Sequence, residues 1–295
     1  MATTYNNLYM DIRQELRQSG IDAATLEAQE LVAFAAGKTR QELLRDGRLY
    51  VPQEVEIRVR ELLTRHLEGE PLAYLIGEWS FCGMDLDVNE NVLIPRTDTE
   101  VLAEQAIDYL RTQSQPRVLD LCAGSGCVGL AIAKFCPDSH VVLGELMEGA
   151  LRVCRQNIRR CGLTAQVLPW QMDALRDPPP RMGEFDCIVS NPPYIPDGDI
   201  AGLDASVRDY EPLTALMGGD DGLDFYRIIS ERWRSVLRTG GRLYFEVGIG
   251  QADDVLRIMR SQGFGDIQVV PDTAGIPRVV YGTLCESVFD NGSTE

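Results

Sequence analysis

The stretch RVLDLCAGSGCVGLAIAKF, residues 117–135, decides the fold. RVLDL is a short apolar run just past Pro116 and reads as a buried strand. Gly124 and Gly126 then let the backbone turn tightly and come close to a ligand that any side chain would displace. From Cys127 onward, CVGLAIAKF continues as a helix. Strand, glycine turn and helix make one βα unit, and a chain of such units forms a mostly parallel sheet covered on both faces.

The same alternation continues downstream. HVVLGE (140–145) precedes the helix of EGALRVCRQNIRRCG (148–162), and the strands AQVLPW (165–170) and FDCIVS (185–190) follow. The helix of LDFYRIISERWRSVLR (223–238), the strand RLYFEVG (242–248) and the helix of ADDVLRIMRSQG (252–263) come next. DIQVV (266–270) and RVVYGTL (278–284) have no helix between them, which predicts a terminal antiparallel hairpin on a doubly wound, seven-stranded α/β sheet. PPP at 178–180 marks a loop, and NGSTE at the end reads as a frayed tail.

Upstream, the period is helical. Apolar residues recur at intervals of three and four in LYMDIRQELRQ, TLEAQELVAFAAG and EVEIRVRELLTRHLEG, so residues 1–70 read as a small helical bundle. Thr39 with Glu42 has capping-box spacing, Pro52 suits a first helical turn, and Gly20, Gly37, Gly47 and Gly69 suit helix ends. Residues 71–96 read as a β-hairpin linker, with alternation in WSFCGMDLDV and an apolar VLI before Pro95. Thr97 and Glu100 offer a second capping box, which opens a helix through VLAEQAIDYLR and the main domain, 97–295.

Composition narrows the function. At 44% hydrophobic residues the chain can bury a substantial core, and no run of eighteen apolar residues or basic-then-apolar leader appears, so a cytoplasmic protein without a membrane role is expected. The eight cysteines form no CxxC pair and only His66 and His140 could share a metal with them, which points to reduced thiols and no metal site. A net charge of −17 repels a phosphate backbone, and Arg152, Arg155, Arg159 and Arg160 lie at helical spacing among Asn and Gln, as a solvated face does. Direct nucleic-acid binding is not expected.

In a doubly wound sheet the ligand lies beyond the carboxyl ends of the strands. Four such ends stand out: the CAGSGCVG loop with Gly124 and Gly126, Glu145 about twenty residues further on, Asp173, and Asn191-Pro192-Pro193-Tyr194. A carboxylate in Glu145's position can accept both hydrogens of a ribose diol. The loop has no GKS or GKT for a triphosphate, and the pocket is expected to suit a nucleoside without a phosphate chain. Each feature has a plainer reading: a compact turn, surface acids in an acidic chain, and a rigid Asn-Pro loop with Tyr194 capping the core. Their succession at strand ends favours the pocket.

VLDLCAGSG with Glu145 is similar to the S-adenosylmethionine loop of class I methyltransferases, and SNPPY resembles the signature of those that methylate a planar nitrogen. LIPRTDTE (93–100), EPLTAL (211–216) and GEPLAYLIG (69–77) resemble the release factor glutamine methyltransferases, the HemK/PrmC family, over nearly the whole chain. That resemblance implies S-adenosyl-L-methionine as cofactor, held by Asp120, Cys122, Ala123, Gly124, Ser125, Gly126, Glu145, Asp173 and Asn191. Asp120 either acts through water on the cofactor's ammonium group or stabilises its loop. Arg96 is either a surface residue beside a helix or a cation near the cofactor's methionine end, and EPLTAL shapes the substrate wall.

The resemblance also implies the acceptor: the glutamine amide of the Gly-Gly-Gln loop of peptide chain release factors, engaged by Asn191, Pro192, Pro193 and Tyr194, with Asn191, Pro192 and Tyr194 catalytic. The helices before Pro71 are then expected to recognise that protein partner, with the enzyme a monomer. Three departures are visible: Cys122 stands at the usual first glycine, Glu145 replaces an Asp, and Ala174 replaces an aromatic, which loosens the adenine wall. An adenine-N(6) DNA or rRNA methyltransferase would share NPPY, because an exocyclic amine poses the same lone-pair problem; the acidic charge argues against it.

Overall fold

The computed structural model describes residues 3–286 and resolves into two units, each with its own core. The first runs to Glu78 and also takes in Asp204–Tyr210. Its helices are α1 (Tyr5–Gln18), α2 (Ala24–Ala36), α3 (Arg40–Arg45), α4 (Gln53–Leu67) and α5 (Leu72–Ile76). α1 buries Tyr5, Leu8, Ile12 and Leu16, a stripe at intervals of three and four residues. Thr39 and Glu42 form the expected capping box, with the Glu42 amide donating to Thr39 Oγ1 at 3.2 Å and the Thr39 amide donating to Glu42 Oε2 at 2.9 Å. Pro52 caps α4 from outside instead of occupying its first turn, and α5 is a helical turn within the stretch expected to be purely β. His66 is structural, bonded through Nδ1 to the Glu70 carbonyl at 2.8 Å and through Nε2 to Glu27 at 2.9 Å.

The second unit comprises Trp79–Leu203 and the chain from Glu211 onward. A small hairpin, β1 (Glu78–Phe81) and β2 (Met84–Asp87), turns through Cys82 and Gly83, both at positive φ, as a two-residue hairpin turn requires. VLI forms no strand. α6 (Thr97–Leu110) begins without the predicted capping box: Arg96 is its cap residue, and Glu100 Oε1 instead accepts from the Cys82 amide at 2.6 Å.

The main sheet follows, with β3 (Arg117–Leu121), α7 (Cys127–Phe135), β4 (His140–Glu145), α8 (Glu148–Arg160), β5 (Val167–Gln171) and β6 (Phe185–Ser190). Next come α9 (Ala205–Arg208), which belongs to the first unit, α10 (Asp224–Arg232), β7 (Leu237–Glu246), α11 (Ala252–Ser261), β8 (Phe264–Pro271) and β9 (Pro277–Leu284). The seven strands lie in the order β5-β4-β3-β6-β7-β9-β8, parallel except for β9, which pairs antiparallel with both neighbours. Neighbouring residues alternate between two cores: Val118, Cys187, Tyr244 and Val279 face α6 to α8, while Leu119, Ile188, Phe245 and Val280 face α10 and α11. Burial on both faces explains why these strands read as continuous apolar runs. The expected doubly wound sheet with its terminal hairpin is therefore present.

The helix expected over 223–238 stops at Arg232, and a tighter turn, Trp233–Val236, leads directly into β7. Short turns between Asp197 and Ala215 carry no apolar period and were not readable beforehand. NGSTE lies outside the described residues. Among the described residues no helix is long and apolar enough to cross a membrane.

Candidate active site

Strand order reverses between β3 and β6, whose carboxyl ends lie side by side. A cleft opens there, lined by Asp120, Cys122, Ala123, Gly124, Ser125, Glu145, Asp173, Asn191 and Pro193 from the predicted set. Gly126, Pro192 and Tyr194 are not on its lining. Gly126, at φ +83°, caps α7, Pro192 is buried, and Tyr194 is half-buried behind the loop.

The β3 end is a backbone cradle. Cys122, Gly124 and Gly126 all have positive φ, and the Ala123 amide donates to the Gly144 carbonyl at 3.1 Å, tying the loop to β4. Gly124 faces open space: a Cβ there would meet nothing within 4 Å. Glu145 fixes the loop from the next strand, with Oε2 accepting from the Gly124 amide at 2.9 Å and Oε1 from the Met147 amide at 2.8 Å. Its burial raises the pKa, and these amides oppose the rise. Each oxygen keeps a lone pair for a further donor.

Asp120 lies deeper. Its Oδ2 accepts from the Gly129 amide at 2.8 Å, fastening the first turn of α7 to β3, and burial pushes its pKa up to about 7. Gly129 is where α7 meets the sheet, since a Cβ there would lie 2.3 Å from Leu143 Cδ2. Cys154 Sγ donates to the Gly124 carbonyl at 3.0 Å, and the Ser125 hydroxyl is buried with no hydrogen-bond partner of good geometry. Asp173 is occupied locally, accepting from the Leu175 amide at 2.9 Å, with Arg176 at 3.6 Å.

The β6 end is braced from distant parts of the chain. Ser190 Oγ donates to the Leu121 carbonyl at 2.8 Å, locking the two strand ends together. Asn191 Nδ2 donates to Thr99 Oγ1 on α6 at 3.3 Å, which leaves Oδ1 as the opposite end of the amide. The Ile195 amide donates to the Leu216 carbonyl at 3.0 Å, and the Gly218 amide to the Ile195 carbonyl at 2.8 Å. Gln251 Nε2 donates to the Tyr194 carbonyl at 2.9 Å. Gly222 leaves room for this contact, as a Cβ there would fall 2.3 Å from the Tyr194 oxygen. Burial pushes the Tyr194 phenol up to about 12.

Arg96 lines the cleft and pairs with the buried Glu211, whose Oε2 also accepts from the Ile94 amide at 3.2 Å. The acid of EPLTAL thus anchors LIPR, a role its sequence does not announce. Thr99, Gln251 and Glu246 also escaped the sequence reading. For Glu246 a signal existed: RLYFEVG carries another strand ending on an acid, as HVVLGE does and RVLDL nearly does.

Comparisons with known proteins bear on the family and the fold. Residues 7–77 match the PrmC N-terminal domain family and residues 83–203 the methyltransferase small domain family. The chain is 40% identical to the release factor glutamine methyltransferase of Geobacter sulfurreducens across 92% of its own length and 94% of that protein's. It is 39% identical to the release factor glutamine methyltransferase of Gloeobacter violaceus across 90% of its length and 92% of that protein's. Among solved structures it resembles the hMettl16 catalytic domain in complex with MAT2A 3′UTR hairpin 6, with a TM-score of 0.55 over 77% of this chain and 83% of that one. At 14% identity that likeness concerns the fold alone.

Proposed function

We infer the function from one premise: the chain belongs to the family of release factor glutamine methyltransferases. It is an enzyme that methylates the side-chain amide of a glutamine in peptide chain release factors. The finer reading is that the acceptor is N(5) of the glutamine in a Gly-Gly-Gln loop and that the donor is S-adenosyl-L-methionine. The helices before Pro71 serve to recognise the release factor, and the enzyme works as a cytoplasmic monomer.

The residues at the β3 end fit that donor. The bare backbone at Gly124, the unpartnered Ser125 hydroxyl and the spare lone pairs of Glu145 suit a nucleoside with its ribose diol. Asp120, Cys122, Ala123, Asp173 and Asn191 complete the set that would line it, with Gly126 shaping the turn from behind as the cap of α7. When bound, it supplies an electrophilic methyl group on a sulfonium. Asp120, bonded to Gly129, acts by fixing the loop.

The chain's task is orientation, because an amide lone pair is delocalised into its carbonyl and must be aimed at the methyl carbon. Asn191 Oδ1 and a backbone carbonyl of the Pro192-Pro193 segment accept the two N–H hydrogens of the acceptor and set the plane of its nitrogen. The paired prolines, with fixed φ and no N–H, hold those oxygens outward at little entropic cost. Tyr194, packed behind the loop, supports it and keeps water from its inner side. No strong base is required, since the methylated nitrogen is acidic after transfer.

One observation carries this reading: the Asn191–Thr99 bond commits Nδ2, which leaves Oδ1 to face an acceptor beside the glycine cradle. A methyl-transfer assay with labelled cofactor should mark an intact release factor and leave both its Gln→Ala variant and DNA unmarked. Labelling of DNA alone would overturn the assignment.

A further inference from the structure

Behind the acceptor loop lies a carboxyl group that the chemistry above leaves unused. Glu246 ends β7, is 2% exposed, and faces two hydroxyls, Thr99 on α6 and the Tyr194 phenol. Its Oε2 has no partner of strict hydrogen-bond geometry, an incomplete satisfaction that a purely structural core position would shed for an apolar side chain. Thr99 Oγ1 is also the atom that accepts from Asn191 Nδ2 at 3.3 Å. A hydroxyl that accepts from Asn191 has one proton left to place, and Glu246 stands beside it.

We propose, building on the amide-methylation reading above, that Glu246 is a positioning residue of the transfer: through the Thr99 hydroxyl it fixes which end of the Asn191 amide faces the acceptor. The two ends of an asparagine amide are nearly isosteric, so packing alone does not choose between them. An ionised Glu246 only accepts. It accepts a hydrogen bond from the Thr99 hydroxyl, so that Thr99 can offer Asn191 nothing but a lone pair, which only Nδ2 can use. Oδ1 then points at the acceptor. A protonated Glu246 can itself donate to Thr99, whose proton is then released toward Asn191; the flipped amide, with its NH₂ facing the acceptor's NH₂, becomes competitive.

Charged and titratable groups from several elements lie near Glu246. Arg278 of β9 and Asp98 of α6 face it along with Tyr194, and Tyr226 of α10 and Cys127 of α7 feel its charge. Arg278 is shared, with Nη2 at 3.2 Å from Asp98 and 3.3 Å from Asp272, so it does not serve Glu246 alone. Burial dominates and pushes the Glu246 carboxyl up to about 7. Turnover therefore rises with pH through the neutral range as Glu246 ionises.

The test is single-turnover methyl transfer to intact release factor between about pH 5.5 and 8.5, with cofactor binding and thermal melting measured in parallel. The wild-type rate should climb with an apparent pKa near 7. Glu246→Gln should lose that climb and run about 30-fold slower at pH 8 with substrate and cofactor affinities within about 3-fold. Thr99→Val should match it, Thr99→Ser should restore the rate, and the double variant should be no slower than either single one, since all three interrupt one relay. A Glu246→Gln enzyme that keeps the wild-type rate and pH profile would sink this inference and leave the amide-methylation reading standing; multiplying losses in the double variant would do the same. Should Glu246→Gln fail to fold, the Thr99 pair decides, and a Thr99→Val enzyme of wild-type rate refutes the relay. Absence of labelling by the wild-type protein would remove both readings together.

Discussion

The two strand ends that line the cleft are built in different ways. The cradle after β3 is held by near neighbours: Asp120 reaches Gly129 nine residues on, and Glu145 reaches back twenty-one to Gly124. The loop after β6 is held from afar, with Thr99 ninety-two residues before Asn191 and Gln251 fifty-seven after Tyr194. A ligand that needs only a shaped backbone can be served locally. Aiming an amide requires fixing a side chain in all directions, which only tertiary contacts can do.

If this division holds, damage to the acceptor loop should appear in the rate and damage to the cradle in affinity. The largest effect is expected for Asn191→Ala, with a turnover rate lower by about two orders of magnitude and cofactor affinity nearly unchanged. Equal losses in both would erase the distinction. Glu145→Ala is the counterpart: calorimetry should show cofactor binding weaker by about 10- to 100-fold, as for loss of a charge-assisted hydrogen-bonding group, with the rate at saturating cofactor largely kept.

Smaller effects test the supports. Gly222→Ala places a methyl group against the Tyr194 carbonyl at φ +74° and should cost about 1–3 kcal/mol in denaturant unfolding. For Asp120 the sign follows from burial. Its folded carboxyl binds a proton up to about 7 and its unfolded one only to 3.8, so between those values the native state holds the extra proton. Stability from this group therefore falls as pH rises across that window, and Asp120→Asn should flatten the dependence. The smallest change is expected at Cys122, a non-glycine residue at φ +61°. Cys122→Gly removes left-handed strain but adds freedom to the unfolded chain, and the two terms of about 1 kcal/mol each nearly cancel in the melting temperature.

The same division explains what could be read in advance. RVLDLCAGSG, Glu145 and SNPPY were legible because each is a local signal, a strand followed by turn chemistry or an acid. The alternation of strands and helices gave the sheet, because burial on both faces leaves continuous apolar runs. Thr99 sits in an ordinary helix start, and the same stretch suggested a capping box whose Glu100 is drawn away to the Cys82 amide by the hairpin. Glu211 matters only because folding brings it to Arg96, one hundred and fifteen residues earlier. No period or motif encodes such meetings.

The pairing of Leu121 with Ser190 has a last consequence. The loops after β3 and β6 spring from adjacent strands about 4.8 Å apart, so on the proposed reading the sheet itself sets how far apart the two loops begin. A slip of one residue between these strands would displace Asn191 by about 3.3 Å and turn its side chain to the opposite face. The register of two strands thus fixes where both loops start, a dimension that changes in the loops alone leave as it is.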